Sequence, residues 1–328
     1  MPSTPEDPQF FKVKNVFIPA VGLGTFQGDD GNDKVKEVVL QALKVGYRHI
    51  DTAAAYGNER QVGEAIKESG IPREDIFITT KLAQTWHDPA DVEEALDQSL
   101  RLLGLDYVDL YLMHFPHAYT AGPNHSTLRQ PNGKPRIDYE LSRAYTKTWQ
   151  AMESLVGKGK TKLIGLSNFN ILKTKRILDV ATIRPAVNQV EVHPYFPQID
   201  LIEFCQKEDI HVTAHQPLGG RPVAVVNPNA DHPGPMDDAE VAEIASTYGI
   251  SVAQVLLSWA VQRGMSVIPK TVKESRLREN RDIIRLGDES METLNGMAAA
   301  KGPIRFMDPR NHIGFDIFRE DRDEPIQE

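Results

Sequence analysis

From about residue 20 onward the chain alternates short apolar runs with longer stretches whose apolar side chains recur every three to four residues. The short runs cover residues 21–24, 49–51, 76–81, 108–114, 162–167, 186–191, 211–216 and 266–269. Helical periodicity marks 33–45, 59–69, 89–103, 145–158, 172–181, 201–207 and 251–262 between them. A strand covered on both faces reads as an unbroken apolar run and its crossover helix as an amphipathic one, so the alternation predicts a parallel sheet wrapped in helices. Eight such strands in 328 residues suit a closed (β/α)8 barrel, the TIM barrel, better than an open doubly wound sheet.

Three segments break the alternation. Residues 10–19 read as a β-hairpin turning near Lys14 and Asn15, placed to cap the bottom of the barrel. Residues 115–140 form a long polar loop after the fourth strand, and 217–235 a loop rich in Pro and Gly after the seventh. Both emerge on the C-terminal face of a barrel, where active sites are built. The stretch 302–328 carries Phe306, Phe315 and Phe318 ahead of a charged end, so its first half is expected to fold over that face. Nothing resembling a linker divides the chain, which predicts one domain spanning 1–328 with flexible ends at 1–8 and 319–328.

Charge and cysteine content narrow the partners. Lys and Arg total 37 against 46 Asp and Glu, a net of −9, so the surface field repels a phosphate backbone or an anionic membrane. No run approaches the ~18 apolar residues of a membrane helix. The single cysteine, Cys205, excludes an intramolecular disulfide and, near Ile202, Phe204 and Ile210, reads as a buried apolar thiol. Residues 1–8 have neither the basic start nor the apolar stretch of a signal peptide, which points to a cytoplasmic protein, expected as a monomer or weak homo-oligomer.

Polar residues at the C-terminal ends of barrel strands are candidates for chemistry. Asp51 ends the second strand, Lys81 the third and His114 the fourth, and Tyr56 follows Asp51 by five residues. A phenol loses its proton near ~10, so it serves as an acid at neutral pH only where a neighbouring cation stabilises the phenolate. Lys81 is the candidate cation, Asp51 would hold it charged, and His114 would orient a carbonyl oxygen or assist the proton transfer. Each residue alone has a plainer reading: Asp51 and Lys81 as a structural ion pair, His114 as a core residue among Leu112, Met113 and Phe115.

The run Gly46-Tyr47-Arg48-His49-Ile50-Asp51-Thr52-Ala53, followed by Tyr56, Asn58-Glu59 and Val62-Gly63, resembles the signature of the aldo-keto reductases. Four further blocks match in order: 105–114, Gly165-Leu166-Ser167-Asn168-Phe169, Asn188-Gln189-Val190-Glu191 and Ile268-Pro269-Lys270-Thr271-Val272. The resemblance covers about residues 10–315. It implies a tetrad of Asp51, Tyr56, Lys81 and His114, with hydride passing from NADPH to a carbonyl carbon while Tyr56 protonates the oxygen and no metal takes part. It also implies cofactor contacts from Thr25, Ser167, Asn168, Gln189, His215, Pro217, Leu218 and Thr271. Lys270, Arg276 and Asn280 fall at positions that hold the adenosine 2′-phosphate, which favours NADPH/NADP+ over NADH, and Glu279 is a further implied cofactor contact. Phe26, Trp86, Phe115 and Phe306 are the expected walls of the substrate pocket.

The sequence departs from the family at several places. His215 stands where many members stack a tyrosine beneath the nicotinamide; an imidazole with its ordinary pKa of ~6.5 would weaken NADP+ binding relative to NADPH below that pH. Gln27 and Pro222 replace the lysine and aspartate of a cofactor clamp. Rival chemistries fit less well. A short-chain dehydrogenase needs a lysine four residues after a tyrosine, and none of the nine tyrosines has one. A Schiff-base aldolase using Lys81 leaves Tyr56, Ser167 and Gln189 without roles, and a cofactor-binding regulatory subunit leaves the tetrad without one. His117, Tyr119, Asn124 and Arg129 in the long loop suggest a hydroxylated substrate. Similar fungal-type reductases act on glyceraldehyde, pentoses or glycerol, so the expected partner is a short polar aldehyde or aldose.

Overall fold

The computed structural model describes residues 10–27, 31–220 and 232–319; positions 1–8, Pro222 and all but Arg319 of the end beginning at 319 lie outside these. A hairpin comes first, β1 (Phe10–Val13) paired antiparallel with β2 (Val16–Pro19), and Lys14 at its turn takes a positive φ. Val13 and Ile18 then pack on Phe77, Leu110, Leu112, Leu163 and Val187, so the hairpin closes the lower end of the barrel as expected.

The barrel strands are β3 (Leu23–Gly24), β4 (His49–Asp51), β5 (Phe77–Leu82) and β6 (Val108–Met113), then β9 (Thr161–Ser167), β10 (Val187–Glu191), β11 (His211–His215) and β12 (Ser266–Val267), with the small β7 (Ala118–Tyr119) and β8 (Ile137–Asp138) outside them. All neighbours pair parallel, in the order β12-β11-β10-β9-β6-β5-β4-β3. The sheet curls until its ends meet: Val21 bridges Val267, Gly22 N donates to Val267 O at 2.8 Å, and Val267 N donates to Ala20 O at 2.8 Å. Glycine is needed at this seam, because a Cβ on Gly24 would stand 2.8 Å from Ile268 O.

Helices α1 (Val35–Lys44), α2 (Glu59–Ser69), α3 (Val92–Leu103), α5 (Tyr145–Gly157), α6 (Ile171–Val180), α7 (Ile199–Lys207) and α9 (Val252–Gln262) form where the periodicity places them. Their buried stripes, such as Val35, Val38, Val39, Ala42 and Leu43 on α1, join the strands in one large core. Caps fix their ends: Ser251 and Gln254 form a capping box on α9, and Asn170 accepts from Lys173 N to start α6. On α2, a Cβ on Gly63 would stand 2.1 Å from Leu103 O, so glycine permits α2 to approach the end of α3.

Several elements had no expectation. The loop 115–140 is not wholly irregular, since β7 and β8 pair antiparallel within it and α4 (Tyr139–Arg143) follows. Helices α8 (Ala239–Tyr248), α11 (Asp288–Lys301) and the short α12 (Arg310–Ile313) are likewise additions, while α10 (Glu274–Arg281) is the helix expected to carry Arg276 and Asn280. After α12 the chain crosses the C-terminal face, where Ile313 and Ile317 pack with Ile137, Phe115 and Tyr119. Cys205 is fully buried, and burial pushes its thiol up to about 12. Among the described residues no single helix is long and apolar enough to cross a membrane.

Candidate active site

The strand ends deliver the expected groups to one place. Asp51 closes β4 and Lys81 lies in β5 one strand away, both buried. Lys81 Nζ donates to Asp51 Oδ1 at 2.5 Å, to Thr52 O at 3.0 Å and to the Tyr56 hydroxyl at 3.5 Å. Tyr56 ends a single turn, Ala54–Tyr56, that Gly57 closes with φ +66, and Asn32 Nδ2 holds its carbonyl at 3.0 Å. The Tyr56 ring meets His114 edge-on, 5.6 Å between centroids. Thus the cation sits at the phenol's hydroxyl and the imidazole packs across its ring.

Protonation follows from this packing. Burial works against the Lys81 charge, but Asp51 and the Tyr56 oxygen outweigh it, and the ammonium is held above its ordinary range. A Schiff-base lysine would need the opposite shift. Burial raises the Tyr56 phenol, and Lys81 offsets only part of that rise. The expectation of a cation-acidified phenol is corrected here: in the resting site desolvation is the larger effect, so Tyr56 keeps its proton until an acceptor arrives. Burial, with Lys81 nearby, drives His114 well below its ordinary value, so the imidazole is neutral.

On the far side of Asp51, Gln189 Nε2 donates to Oδ2 at 2.7 Å. Its amide nitrogen is therefore committed, and its carbonyl oxygen is the end left to an acceptor role. Ser167 ends β9, and Asn168 follows with φ +63. Asn168 Nδ2 donates to His114 O at 3.0 Å and Ser167 Oγ at 3.1 Å, while its Oδ1 lies 2.9 Å from His215 Nε2. That bond makes Nε2 the protonated nitrogen of His215, because an amide oxygen only accepts. Burial lowers this imidazole to about 4, correcting the expected ionisation near ~6.5. Thr25 is tied to the backbone of Asp51, its N and Oγ1 each 3.0 Å from Asp51 O.

Pro217 and Leu218 occupy the turn after β11, the first buried and the second half-buried. Beyond β12, Lys270 is exposed, Thr271 is buried and accepts from Lys273 N at 3.1 Å, and α10 presents Arg276 and Glu279 outward with Asn280 buried. Among the described residues neither Lys270 nor Arg276 makes an ion pair, whereas Arg278 is spent on Glu274. Two unspent cations at the start of a helix suit a dianion, and the mixed donors and acceptors of Ser167, Asn168 and Gln189 suit a carboxamide. The residues present therefore fit a phosphorylated nicotinamide dinucleotide.

The aromatic candidates divide. Phe26 is exposed and touches Tyr56 at 5.1 Å, Phe115 stacks on His114 at 5.0 Å, and Trp86 stacks on His125 at 3.3 Å. Phe306 has no exposed surface and packs 5.3 Å from His193, behind the mouth. Of the polar loop residues, His117 is buried and Tyr119 half-buried, while Asn124 and Arg129 lie exposed on the outer part of the loop. The sequence reading missed the Gln189–Asp51 and Asn168–His215 bonds. It also gave no role to Glu191, although a carboxylate between Val190 and Val192 was the available signal.

A family model described as Aldo/keto reductase family matches residues 20–299. The chain is similar to a glycerol 2-dehydrogenase (NADP(+)) of Saccharomyces cerevisiae, 44% identical over 309 residues, covering 92% of this chain and 94% of the yeast protein. It is 45% identical over 287 residues to human aldo-keto reductase family 1 member A1, covering 85% and 86% of the two chains. A solved aldose reductase from Schistosoma japonicum superposes with a TM-score of 0.82 at 35% identity, over 94% of this chain and 96% of that one.

Proposed function

The chain belongs to the aldo/keto reductase family and is an NADP(H)-dependent carbonyl reductase, and within that class we propose that it reduces a short polar aldehyde or aldose, of the glyceraldehyde or pentose kind, with Tyr56 as proton donor. The observation that carries the assignment is the placement of Lys81 Nζ between the Asp51 carboxylate and the Tyr56 hydroxyl. Ser167, Asn168 and Gln189 would hold the nicotinamide end of the reduced dinucleotide and Lys270, Arg276 and Asn280 its phosphorylated adenosine end, and when bound it would supply the hydride.

The chain's own groups do the rest. A carbonyl oxygen placed between Tyr56 and the neutral His114 accepts a proton from the phenol as negative charge develops on it. Lys81 then stabilises the phenolate, and Asp51 keeps Lys81 charged through the cycle. A neutral imidazole at His114 steers the oxygen without adding a second buried cation beside Lys81. Polar substrates are favoured by Tyr119 near the mouth and by the similarity to a yeast glycerol 2-dehydrogenase. We read the chain as one cytoplasmic barrel domain acting as a monomer or weak homo-oligomer. The test is kcat/KM with NADPH over a panel of aldehydes, aldoses and ketones. A preference for large apolar ketones would overturn the substrate class, and no NADPH oxidation with any carbonyl would favour a regulatory subunit.

A further inference from the structure

The side chain of Glu191 is fully buried at the end of β10, yet two of its partners come from the distant C-terminal segment. Oε1 accepts from the Phe306 amide at 2.6 Å and from His193 Nε2 at 2.8 Å, and Oε2 accepts from the Met307 amide at 2.7 Å. Burying a carboxylate is costly unless its lone pairs are taken, and here two backbone N–H groups and an imidazole take them. Burial alone would raise this carboxyl, but His193, Arg305 and the Phe306 amide hold it below its ordinary value, so it is charged at neutral pH.

The anchor joins two walls. The Phe306 ring lies under the turn after β11, where a Cβ on Gly219 would stand 3.3 Å from its Cε2. Past Met307 the segment continues through α12 and lays Ile313 and Ile317 with Phe115, the ring stacked on His114. Two residues before Glu191 on the same face of β10, Gln189 holds Asp51. We propose that Glu191 is a positioning residue for substrate binding, fixing the segment from Phe306 onward to the strand that also carries Gln189. The wall beside His114 is thereby held in register with the catalytic groups. This inference rests on reading that face as the substrate mouth. A second attachment, Ile304 N to Tyr195 O at 2.8 Å, keeps the start of the segment in place when Glu191 is changed.

Glu191→Gln retains the shape but turns an NH2 group toward N–H donors. The expected result is a carbonyl KM raised about tenfold, the loss of charge-assisted hydrogen bonds, with kcat changed less than about threefold. Trypsin should cut faster after Arg310 in the variant. Ile317→Ala should raise KM in the same sense, and the double variant should raise it no further than the larger single effect. An unchanged KM in an active enzyme, additive KM effects, or a fall in kcat without a KM change overturns the proposal. Hydrogen exchange on the unaltered protein is an independent check that survives a folding failure of the variant. The Phe306 and Met307 amides should exchange as slowly as those of β10, and exchange as fast as an exposed loop refutes the anchor. Trypsin cleavage and exchange read the segment without a substrate, so a failure of the carbonyl reading is distinguishable from a failure of the anchor.

Discussion

Gln189 and Asp51 meet across the mouth of the barrel, the amide of one donating to Oδ2 of the other at 2.7 Å. The second carboxylate oxygen holds Lys81, so Asp51 is fixed from two strands and the ammonium cannot drift from Tyr56 without breaking a buried pair.

Tyr56→Phe removes only the hydroxyl that faces Lys81. Carbonyl reduction should fall by ~10²–10⁴-fold, while NADPH binding, read by quenching of protein fluorescence, stays within about twofold. A variant keeping more than half the activity refutes the assignment. Lys81→Met should lose activity similarly. It also leaves Asp51 buried without its cation, so it should destabilise the fold by about 3–5 kcal/mol in denaturant titration, whereas Tyr56→Phe should not.

The pH dependence of activity should show no break near 6.5, because His114 is driven well below that value. Lys81 and Tyr56 are both raised on folding, so their protons are held beyond the unfolded values of ~10.4 and ~10. What they contribute is complete below those values and is lost as pH climbs through the folded ones. Profiles of kcat/KM should therefore be flat through neutrality and fall only above pH ~10.

Acid stability runs the other way. His49 and His215 are lowered by burial to about 4, and His87, His117 and His211 to about 3. A lowered histidine contributes stability that is full above its unfolded pKa of ~6.5 and is lost as pH falls toward the folded value. Tm should thus drop steeply between pH 6.5 and 4, with proton uptake on unfolding. A Tm unchanged across that interval contradicts the buried, neutral assignment of these rings. For the same reason the ratio of NADP+ to NADPH affinity should be constant from pH 5 to 8, in the native protein and in His215→Tyr alike. A break near 6.5 in the native protein alone would mean that His215 titrates in contact with the cofactor.

Lys270→Ala combined with Arg276→Ala should weaken NADPH by about tenfold or more and NADH hardly at all, since only the former carries the 2′-phosphate. Equal losses for both cofactors, measured by direct binding, would show these cations to be ordinary surface charges.

Much of this molecule is legible from periodicity because barrel strands and their crossover helices carry opposite hydrophobic rhythms. What escaped had no rhythm to read. Helix α11 buries Leu294, Met297 and Ala298 amid polar neighbours, so it presents no continuous stripe. The barrel strands at the seam, Leu23–Gly24 and Ser266–Val267, fall inside the runs 21–24 and 266–269 but are only two residues long. In the site, the residue types were visible but not their partners. Nothing local ties Gln189 to Asp51 or Glu191 to Phe306, pairs 138 and 115 positions apart that only barrel closure and the returning tail bring together.

The seam itself has a consequence for how the protein is held together. Eight staves are joined into a hoop, and the joint between last and first rests on the backbone bonds of Val267 to Ala20 and Gly22 and of Gly24 to Pro269. Lys270 and Thr271 begin immediately beyond that joint, so a phosphate bound there would fasten the clasp of the hoop as well as the ligand. Saturating NADPH should accordingly slow amide exchange at Gly22, Gly24 and Val267 more than at β6, opposite the joint, whereas uniform slowing would mean that the ligand stabilises the barrel only as a whole.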